Sequence, residues 1–362
     1  MSIRPILIMA GGTGGHVFPA LAVANALQQQ SQNIVWLGTH RGLESRVVPA
    51  AGIDIEWISI SGLRGKGVLA ILLAPFRLAL ALSQSILVMI RHRPAAVLGM
   101  GGFVSGPGGL AAWLTRRPLV IHEQNAIAGM TNRLLARFAR VVLQAFPGSF
   151  PASVHAQTVG NPVRSEIADI ADPATRYAQR SGKPRLLVLG GSQGALALNH
   201  CVPSACALLP EAVRPVILHQ AGERTLQTAI DAYAGSGLEV NVVAFIEDMA
   251  AAYSWADLCV CRSGALTVAE IAAAGLPAVF VPFPYAVDDH QTANALALRD
   301  AGAAVIVDER ELAVTNLAEI LSQCLASRDE LRDKAIKSRS LSNPNALGRI
   351  AGACLEAAGV VS

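Results

Sequence analysis

Residues 6–18 read ILIMAGGTGGHVF, and residues 185–197 read RLLVLGGSQGALA. Each stretch begins with an apolar run typical of a buried strand, continues into a cluster of glycines, and then opens a helical pattern. Along the chain, short apolar runs alternate with longer helical patterns, which is the signature of βαβ units and parallel sheets. Because 362 residues exceed the usual size of one domain, we predict an α/β protein with two open, doubly wound sheets.

The predicted strands form one group in each half of the chain. The first group is Ile3–Met9, Ile34–Leu37, Ile53–Ile60, Ala95–Leu98, Leu119–Ile121 and Val141–Gln144. The second group is Arg185–Leu189, Pro215–His219, Val240–Ala244, Leu258–Cys261, Ala278–Val281 and Ala304–Val307, and residues 311–361 read as helices only. Turn-rich sequence between Gly160 and Pro184 marks the boundary. We predict domains at 1–163 and 164–342, with a terminal helix in 343–362 that packs back on the first domain.

Charge is distributed unevenly between the two halves. Residues 1–160 contain 13 Lys+Arg and 4 Asp+Glu, a net charge of +9, whereas residues 161–362 contain 16 and 22, a net charge of −6. The basic half is expected to meet an anionic partner, either phosphate or a lipid surface. Aromatic residues make up only 5% of the chain and no dense Lys/Arg run occurs, so we expect no nucleic-acid partner.

Cysteine usage and the N-terminus bear on the cellular compartment. All six cysteines lie in the second half and form no CxxC pair, and the first residues lack the features of a secretory signal. We therefore expect reduced thiols and a cytosolic protein. Hydrophobic residues at 52% and charged residues at 15% exclude a disordered chain.

Three glycine clusters follow predicted strands, at 11–15, 99–109 and 190–194. A glycine turn that enters a helix exposes backbone N–H groups at the positive end of the helix dipole, so it can bind a diphosphate. The alternative is tight strand-to-helix packing alone. The pattern GxGxxG is absent, no acidic residue follows the second strand, and no Walker lysine is present. A dehydrogenase and a P-loop NTPase are therefore disfavoured.

The segment Cys261–Pro277 carries the most information about a ligand. It reads as a strand, a glycine turn, a short helix and a glycine stop. Residues 263–265 would offer backbone donors to a phosphate, and Glu270, within an otherwise apolar helix, could accept both hydroxyls of a ribose. A solvated helical glutamate is the alternative. Residues 282–294 carry neutral polar groups suited to sugar hydroxyls, although a polar loop with a helix cap explains them equally well.

Taken in order, six motifs closely resemble the MurG family of glycosyltransferases. They are GGTGGHVFP at 11–19, GMGGFVSGPGG at 99–109, HEQN at 122–125, GNPVR at 160–164, GGSQGA at 190–195 and RSGALTVAEIAAAGLP at 262–277. The match extends from about residue 5 to residue 310. The resemblance implies a GT-B architecture, in which two Rossmann-like domains face a cleft, the first holding the acceptor and the second most of the UDP-sugar.

The resemblance also implies roles for individual residues. Those implied to bind the donor are Thr13, Gly14, Gly15, Asn125, Arg164, Ser192, Ile246, Ala265, Leu266, Thr267, Val268, Ala269, Glu270 and Gln291. Those expected on the acceptor side are Gly102, Ser105 and Glu123. His16 is the candidate catalytic residue, either as the base or as a contact to the acceptor diphosphate, because imidazole changes charge near neutral pH. Phe103 stands where some relatives have tyrosine, so it receives no role.

By this resemblance the expected reaction is an inverting transfer of N-acetylglucosamine from UDP-N-acetylglucosamine to the 4-hydroxyl of undecaprenyl-diphosphate-linked muramyl-peptide, in peptidoglycan synthesis. No cofactor is expected. No metal is expected either, because Asp288 and Asp289 are adjacent on a loop, a geometry that two metal ligands seldom use. A UDP-N-acetylglucosamine epimerase and a non-catalytic sugar-nucleotide-binding subunit are the alternatives. Cell-wall synthesis proteins are further expected partners.

The run from Val68 to Ile90 is long and apolar enough to cross a bilayer. Pro75 and Arg77 fall inside it, and Arg77, Gln84 and Arg91 recur at seven-residue spacing to form one polar stripe. We therefore expect residues 64–93 to dock on the anionic cytoplasmic face of the inner membrane without spanning it. The flanking cations would be Arg64, Lys66, Arg91, Arg93, Arg116 and Arg117. A helix packed only on its own sheet is the alternative.

Overall fold

The computed structural model describes residues 4–60, 73–191, 194–286 and 289–360. They divide into two compact units: unit 1 comprises residues up to Val163 together with Asn345 onward, and unit 2 comprises Arg164–Pro344. Each unit is a Rossmann-like fold built on a parallel sheet. Two sheets of the doubly wound kind, predicted from the alternating pattern, are therefore confirmed.

Unit 1 contains a parallel sheet of seven strands in the order β3-β2-β1-β4-β5-β6-β7. The strands are β1 (Ile6–Met9), β2 (Ile34–Gly38), β3 (Asp54–Trp57), β4 (Ala96–Gly99), β5 (Leu119–Glu123), β6 (Val141–Gln144) and β7 (Gln157–Thr158). The helices are α1 (Gly14–Gln29), α2 (Glu44–Ala50), α3 (Ala74–His92), α4 (Ser105–Leu114), α5 (Met130–Leu135) and the C-terminal Ala346–Ala357, with a 3₁₀ turn at Ala152–Val154. Buried residues of Ala346–Ala357 join the core formed by α1 and the central strands.

Unit 2 contains a parallel sheet of six strands in the order β10-β9-β8-β11-β12-β13. The strands are β8 (Arg185–Leu189), β9 (Val216–Gln220), β10 (Val240–Val243), β11 (Leu258–Cys261), β12 (Ala278–Phe280) and β13 (Ala304–Ile306). The helices are α6 (Ser165–Ala168), α7 (Pro173–Ala178), α8 (Leu196–Ala207), α9 (Leu226–Tyr233), α10 (Met249–Trp255), α11 (Ala265–Ala274), α12 (His290–Asp300), α13 (Val314–Leu325) and α14 (Arg328–Ser340), with 3₁₀ turns at Glu211–Val213, Glu223–Thr225 and Glu309–Glu311. The C-terminal helix of unit 1 completes the series as α15.

Helix α3 accounts for most of the described part of the predicted docking segment, residues 64–93. It begins at Ala74, with Pro75 in its first turn, where a missing N–H group costs nothing. Arg64, Lys66 and residues 68–72 of the predicted docking segment lie outside the described residues. By length and composition α3 could cross a membrane, yet it packs along α4 of its own unit through Ala81, Ser85, Val88 and Met89.

Candidate active site

The candidate residues of unit 1 lie on three loops at the carboxyl edge of its sheet. Met9 pairs with Gly99, and Gly99 pairs with Ile121, so β1, β4 and β5 end side by side. The loop 10–13 and the start of α1 follow β1, the loop 100–104 follows β4, and residues 124–129 follow β5. This edge, where the strand order reverses between β1 and β4, is where open α/β sheets bind ligands.

The first two loops touch through their backbones. Gly102 has a φ of +80°, and an added Cβ there would lie 2.2 Å from the carbonyl oxygen of Gly11, so only glycine is tolerated. The N–H of Gly12 donates to Oε2 of the fully buried Glu44, 2.9 Å away. Oε1 of Glu44 accepts from the backbone and hydroxyl of Thr39. Glu44 therefore anchors the first glycine loop, a role that its sequence context gave no reason to suspect.

The predicted donor contacts Thr13, Gly14 and Gly15 form the start of α1, with Thr13 exposed at the N-cap position in extended geometry. His16 follows in the first turn and is half-buried. Its Nδ1 lies 3.1 Å from Oε1 of Gln124, which is 1% exposed. The first glycine loop and the segment after β5 are thus joined by a side-chain hydrogen bond, and Gln124 is a site residue that the family motif contained but to which no role was assigned.

The predicted acceptor-side residues Ser105 and Glu123 are buried and internally bonded. The hydroxyl of Ser105 lies 2.8 Å from the carbonyl oxygen of Gly101. Glu123 accepts from the backbone N–H groups of Asn125 and Gly129 and from the side-chain amides of Asn125 and Asn132, at 2.8–3.1 Å. Both side chains consequently shape the loops in this state, and Glu123 in particular sets the position of Asn125.

Unit 2 repeats the arrangement at the carboxyl edge of its own sheet. Leu189 of β8 pairs with Cys261 of β11, so Gly190 and Gly191, which follow β8, lie beside the segment 262–264. Gly194 has a φ of +79°, and a Cβ there would lie 2.0 Å from the hydroxyl oxygen of Thr225. Ser192, the predicted phosphate contact in this loop, lies outside the described residues.

Helix α11 opens at this edge with Gly264 as its N-cap. Its first residues are the predicted donor contacts, of which Leu266, Thr267 and Ala269 are half-buried while Ala265 and Val268 are buried. Glycine at the N-cap supplies no side-chain acceptor of its own, which suits a helix start that binds phosphate. The hydroxyl oxygen of Ser263 is buried and has no hydrogen-bond partner among the described residues.

Glu270 lies in the second turn of α11 and is 6% exposed. Its Oε1 accepts from Arg164 at 3.2 Å, and its Oε2 accepts from the hydroxyl of Tyr253 at 3.1 Å. Burial raises the pKa of the Glu270 carboxyl, while Arg164 and the two hydrogen bonds oppose that rise. Burial together with the Glu270 charge also raises the pKa of Tyr253 well above its ordinary value, so its hydroxyl remains a donor. Tyr253 is a second site residue absent from the sequence predictions.

The loop after β12 is held by Arg262, another residue without a predicted role. Its guanidinium donates to the carbonyl oxygens of Val281 and Pro282, pairs with Glu309 and lies over the ring of Phe283. Oε1 of the predicted sugar contact Gln291 accepts from the backbone N–H of Phe283 at 2.9 Å. Ile246, the predicted nucleoside neighbour, is half-buried in the loop between β10 and α10.

Among the described residues, no group of three or more His, Cys, Asp or Glu side chains is arranged to hold a metal ion. At the sheet edge of unit 2, helix α11 presents its N-terminus, which is the positive end of its dipole. Such an arrangement can stabilise a diphosphate leaving group through oriented dipoles.

Comparison with known proteins identifies two family domains. Residues 6–144 match the glycosyltransferase family 28 N-terminal domain, and residues 185–350 match the family 28 C-terminal domain. This chain is similar over nearly its whole length to enzymes named UDP-N-acetylglucosamine--N-acetylmuramyl-(pentapeptide) pyrophosphoryl-undecaprenol N-acetylglucosamine transferase. The protein of Alkalilimnicola ehrlichii is 58% identical over 98% of this chain and 99% of its own, and that of Nitrosococcus oceani is 56% identical over 99% of both.

A crystal structure of Acinetobacter baumannii MurG is similar in fold as well as sequence. It superposes with a TM-score of 0.84 at 43% identity, covering 98% of this chain and 99% of that one. The two proteins therefore share their fold over nearly the full length of both chains. The chain belongs to the MurG family of UDP-sugar-dependent glycosyltransferases, within glycosyltransferase family 28.

Proposed function

We propose that this chain transfers N-acetylglucosamine from UDP-N-acetylglucosamine to the 4-hydroxyl of the muramyl sugar on undecaprenyl-diphosphate-linked muramyl-peptide, with inversion at the anomeric carbon. The observation that carries this proposal is the identity of 58% to a transferase of that name over 98% of the chain. Proteins this similar over their whole length generally act on the same pair of substrates.

The donor nucleotide is proposed to bind at the edge of unit 2. Glu270 retains acceptor capacity for the two ribose hydroxyls beyond its bonds to Arg164 and Tyr253, because a carboxylate accepts about four hydrogen bonds. The start of α11 and the buried hydroxyl of Ser263 face the diphosphate in this proposal. Each charge-assisted bond of Glu270 to a hydroxyl would contribute roughly 1.5–3 kcal/mol.

The chemical step is proposed to use His16 of unit 1. The acceptor hydroxyl oxygen forms a bond to the anomeric carbon, the bond from that carbon to the β-phosphate oxygen breaks, and UDP leaves with the electron pair. The hydroxyl proton passes to His16 if the imidazole is the base. Contact with the acceptor diphosphate is the second role open to the same side chain.

Unit 1 is proposed to dock on the cytoplasmic face of the membrane through α3. Phe76, Leu78, Leu80, Leu87 and Ile90 of this helix are each at least half exposed. Trp113 and Leu114, at the end of the neighbouring α4, and Met130 and Leu134 of α5 are exposed as well. An apolar surface of this kind is typical of an interaction face.

Basic residues border this surface. Burial lowers the pKa of the Arg117 guanidinium, and the nearby charges of Arg4 and Arg93 lower it further, so these three arginines lie close together. Arg91 pairs with Glu56 and so contributes less charge than its position suggests. Spanning the bilayer is disfavoured because α3 lies along α4, and because the strands before and after it, β3 and β4, belong to the same sheet.

The function is tested with radiolabelled UDP-N-acetylglucosamine and a synthetic lipid-diphosphate muramyl-peptide acceptor. We expect label to move into the lipid product and UDP to be released in equal amount. Conversion of the donor sugar without acceptor would instead indicate an epimerase. Saturable UDP binding without turnover in the presence of acceptor would indicate a binding subunit.

A further inference from the structure

A chain of four groups runs through the interior of unit 1 and ends at His16. It begins at the carbonyl oxygen of Gly160, passes through the ring of His122 and the side-chain amide of Gln124, and reaches Nδ1 of His16. His122 and Gln124 are 0% and 1% exposed. Buried groups of this kind have few alternative partners. Which group donates and which accepts in each hydrogen bond can therefore be worked out from the Gly160 carbonyl oxygen, the fixed end of the chain.

The fixed end is a carbonyl oxygen, which can only accept. Nε2 of His122, 2.9 Å from that oxygen, must therefore carry a proton and donate it. Burial lowers the pKa of His122 to about 4, so the ring is neutral near pH 7 and its Nδ1 is a lone pair. A neutral His122 with this tautomer accepts a hydrogen bond on the side that faces Gln124.

The amide orientation of Gln124 is set by two acceptors. Nε2 of Gln124 lies 3.3 Å from Nδ1 of His122 and 3.3 Å from the carbonyl oxygen of His122. If the amide were flipped, its oxygen would face both of these acceptors without a proton between them. The –NH₂ group therefore points to His122, and Oε1 points to His16.

Oε1 of Gln124 can only accept, so the Nδ1 of His16, 3.1 Å away, must carry the proton. We propose that Gln124 and His122 are positioning residues that hold His16 as its Nδ1–H tautomer, so that Nε2 presents a lone pair to the acceptor hydroxyl. Among the described residues, no hydrogen bond to Nε2 of His16 is formed. When Nε2 takes a proton, Nδ1–H keeps its bond to Gln124, so both charge states of the ring are satisfied.

The glycine loop after β4 accommodates this arrangement. A Cβ at Gly101, where φ is +92°, would lie 2.7 Å from Nδ1 of His16 and 3.5 Å from Oε1 of Gln124. Glycine at this position therefore lets the backbone pass directly over the hydrogen bond. The inference rests on the proposed function and bears on the base role of His16: with the proton held on Nδ1, the neutral ring presents to the acceptor hydroxyl the lone pair at Nε2 that a general base needs.

The test is the tautomer of His16 in the intact protein, measured by long-range ¹H–¹⁵N NMR with ¹⁵N-histidine labelling at a pH where the ring is neutral. The His16→Gln variant assigns the signal by its disappearance. We expect a pyrrole-type shift at Nδ1 and a pyridine-type shift at Nε2. A proton on Nε2 in the wild-type protein would overturn the relay, whatever the activity.

The Gln124→Met variant removes both the donor and the acceptor of the amide. We expect mixed tautomers at His16 and a fall in kcat of roughly tenfold, with both KM values little changed. Gln144→Met is the matched control, because Gln144 is a buried glutamine on the adjacent β6 that bonds to Thr158 and Phe150. An unchanged tautomer in Gln124→Met would refute the relay. Full activity of the His16→Gln variant, with the Nδ1–H tautomer observed in the wild type, would refute the base and leave the relay standing.

Discussion

Both units bury a glutamate near the carboxyl edge of the sheet, Glu123 at the end of β5 and Glu270 in α11, yet the two carboxylates are satisfied differently. Glu123 of unit 1 accepts four hydrogen bonds from its own loop. Glu270 of unit 2 accepts two from the described residues, and one of them comes from Arg164, whose side chain is 47% exposed. Because a carboxylate accepts about four hydrogen bonds, Glu123 is saturated and Glu270 is not. Burial is common to both, so the number of internal donors distinguishes the structural carboxylate from the one proposed to bind the donor.

The largest effect is expected at the reacting centre. His16→Ala should lower kcat by roughly 10²–10⁴-fold if the imidazole is the base, because general base catalysis contributes about that much. Steady-state kinetics with both substrates varied would measure it. A loss confined to the acceptor KM would show instead that His16 contacts the acceptor diphosphate.

Acid should destabilise both units. Burial lowers the pKa of His122 in unit 1 and of His219 in unit 2 to about 4, from an ordinary 6.5. Between pH 6.5 and 4 the unfolded chain therefore binds more protons than the folded chain. The free energy of unfolding is highest above pH 6.5 and falls as the pH drops towards 4, by up to about 3 kcal/mol per histidine. Hydrogen exchange followed separately in the two units at pH 7.5, 6 and 5 would measure the loss.

The variant His219→Gln should flatten the acid response of unit 2 while leaving that of unit 1. Its control is His200→Gln, which alters an exposed histidine of the same unit. An acid response that persists unchanged in His219→Gln would show that carboxylates, and not this buried ring, govern the stability of unit 2 in acid.

Truncating the saturated carboxylate should weaken the fold around it. Glu123→Ala leaves the donors of Asn125, Gly129 and Asn132 without their acceptor, which should cost about 2–4 kcal/mol in the stability of unit 1. Faster hydrogen exchange over residues 124–132 would report it. Glu270→Ala should lower the stability of unit 2 by less, since fewer internal donors lose a partner.

The smallest effect concerns the membrane. The protein should float with anionic vesicles at low salt and be lost at high salt, because each basic residue near the surface contributes about 1 kcal/mol. Leu87→Ser, which changes an exposed leucine of α3, should reduce flotation several-fold. Leu208→Ser is the control in unit 2, where a leucine of similar exposure lies outside the proposed surface. Equal loss in both variants, or no flotation of the wild type at low salt, would support a helix that merely packs on its own unit.

Much of each sheet could be predicted because parallel strands buried on both faces are continuous apolar runs. Val141–Gln144, Arg185–Leu189 and Leu258–Cys261 are confirmed residue for residue, and the other predicted strands differ at their ends by a few residues. Gln157–Thr158 was missed, since a two-residue strand of polar side chains at the sheet edge leaves no apolar pattern.

The supporting residues of the candidate site were harder to foresee. Glu44, Tyr253 and Arg262 act through partners that lie between 5 and 47 residues away in sequence. Such contacts depend on which loops the fold brings together, and no local spacing encodes them. Gln124 belongs to the HEQN motif at 122–125, but its hydrogen bond to His16 joins residues 108 positions apart in the sequence. The resemblance implies roles only for residues that contact ligands. The side chains that orient those residues are visible only in the folded structure.

Titration calorimetry with UDP on the two alanine variants distinguishes a nucleotide-binding Glu270 from a Glu123 that serves only the fold. Both must first be shown to be folded at the assay temperature. We predict that Glu270→Ala weakens UDP binding by about 10- to 100-fold, equivalent to roughly 1.5–3 kcal/mol, and that Glu123→Ala leaves the UDP affinity close to that of the wild type. Unchanged UDP affinity in folded Glu270→Ala, or an equal loss in both variants, would contradict the account.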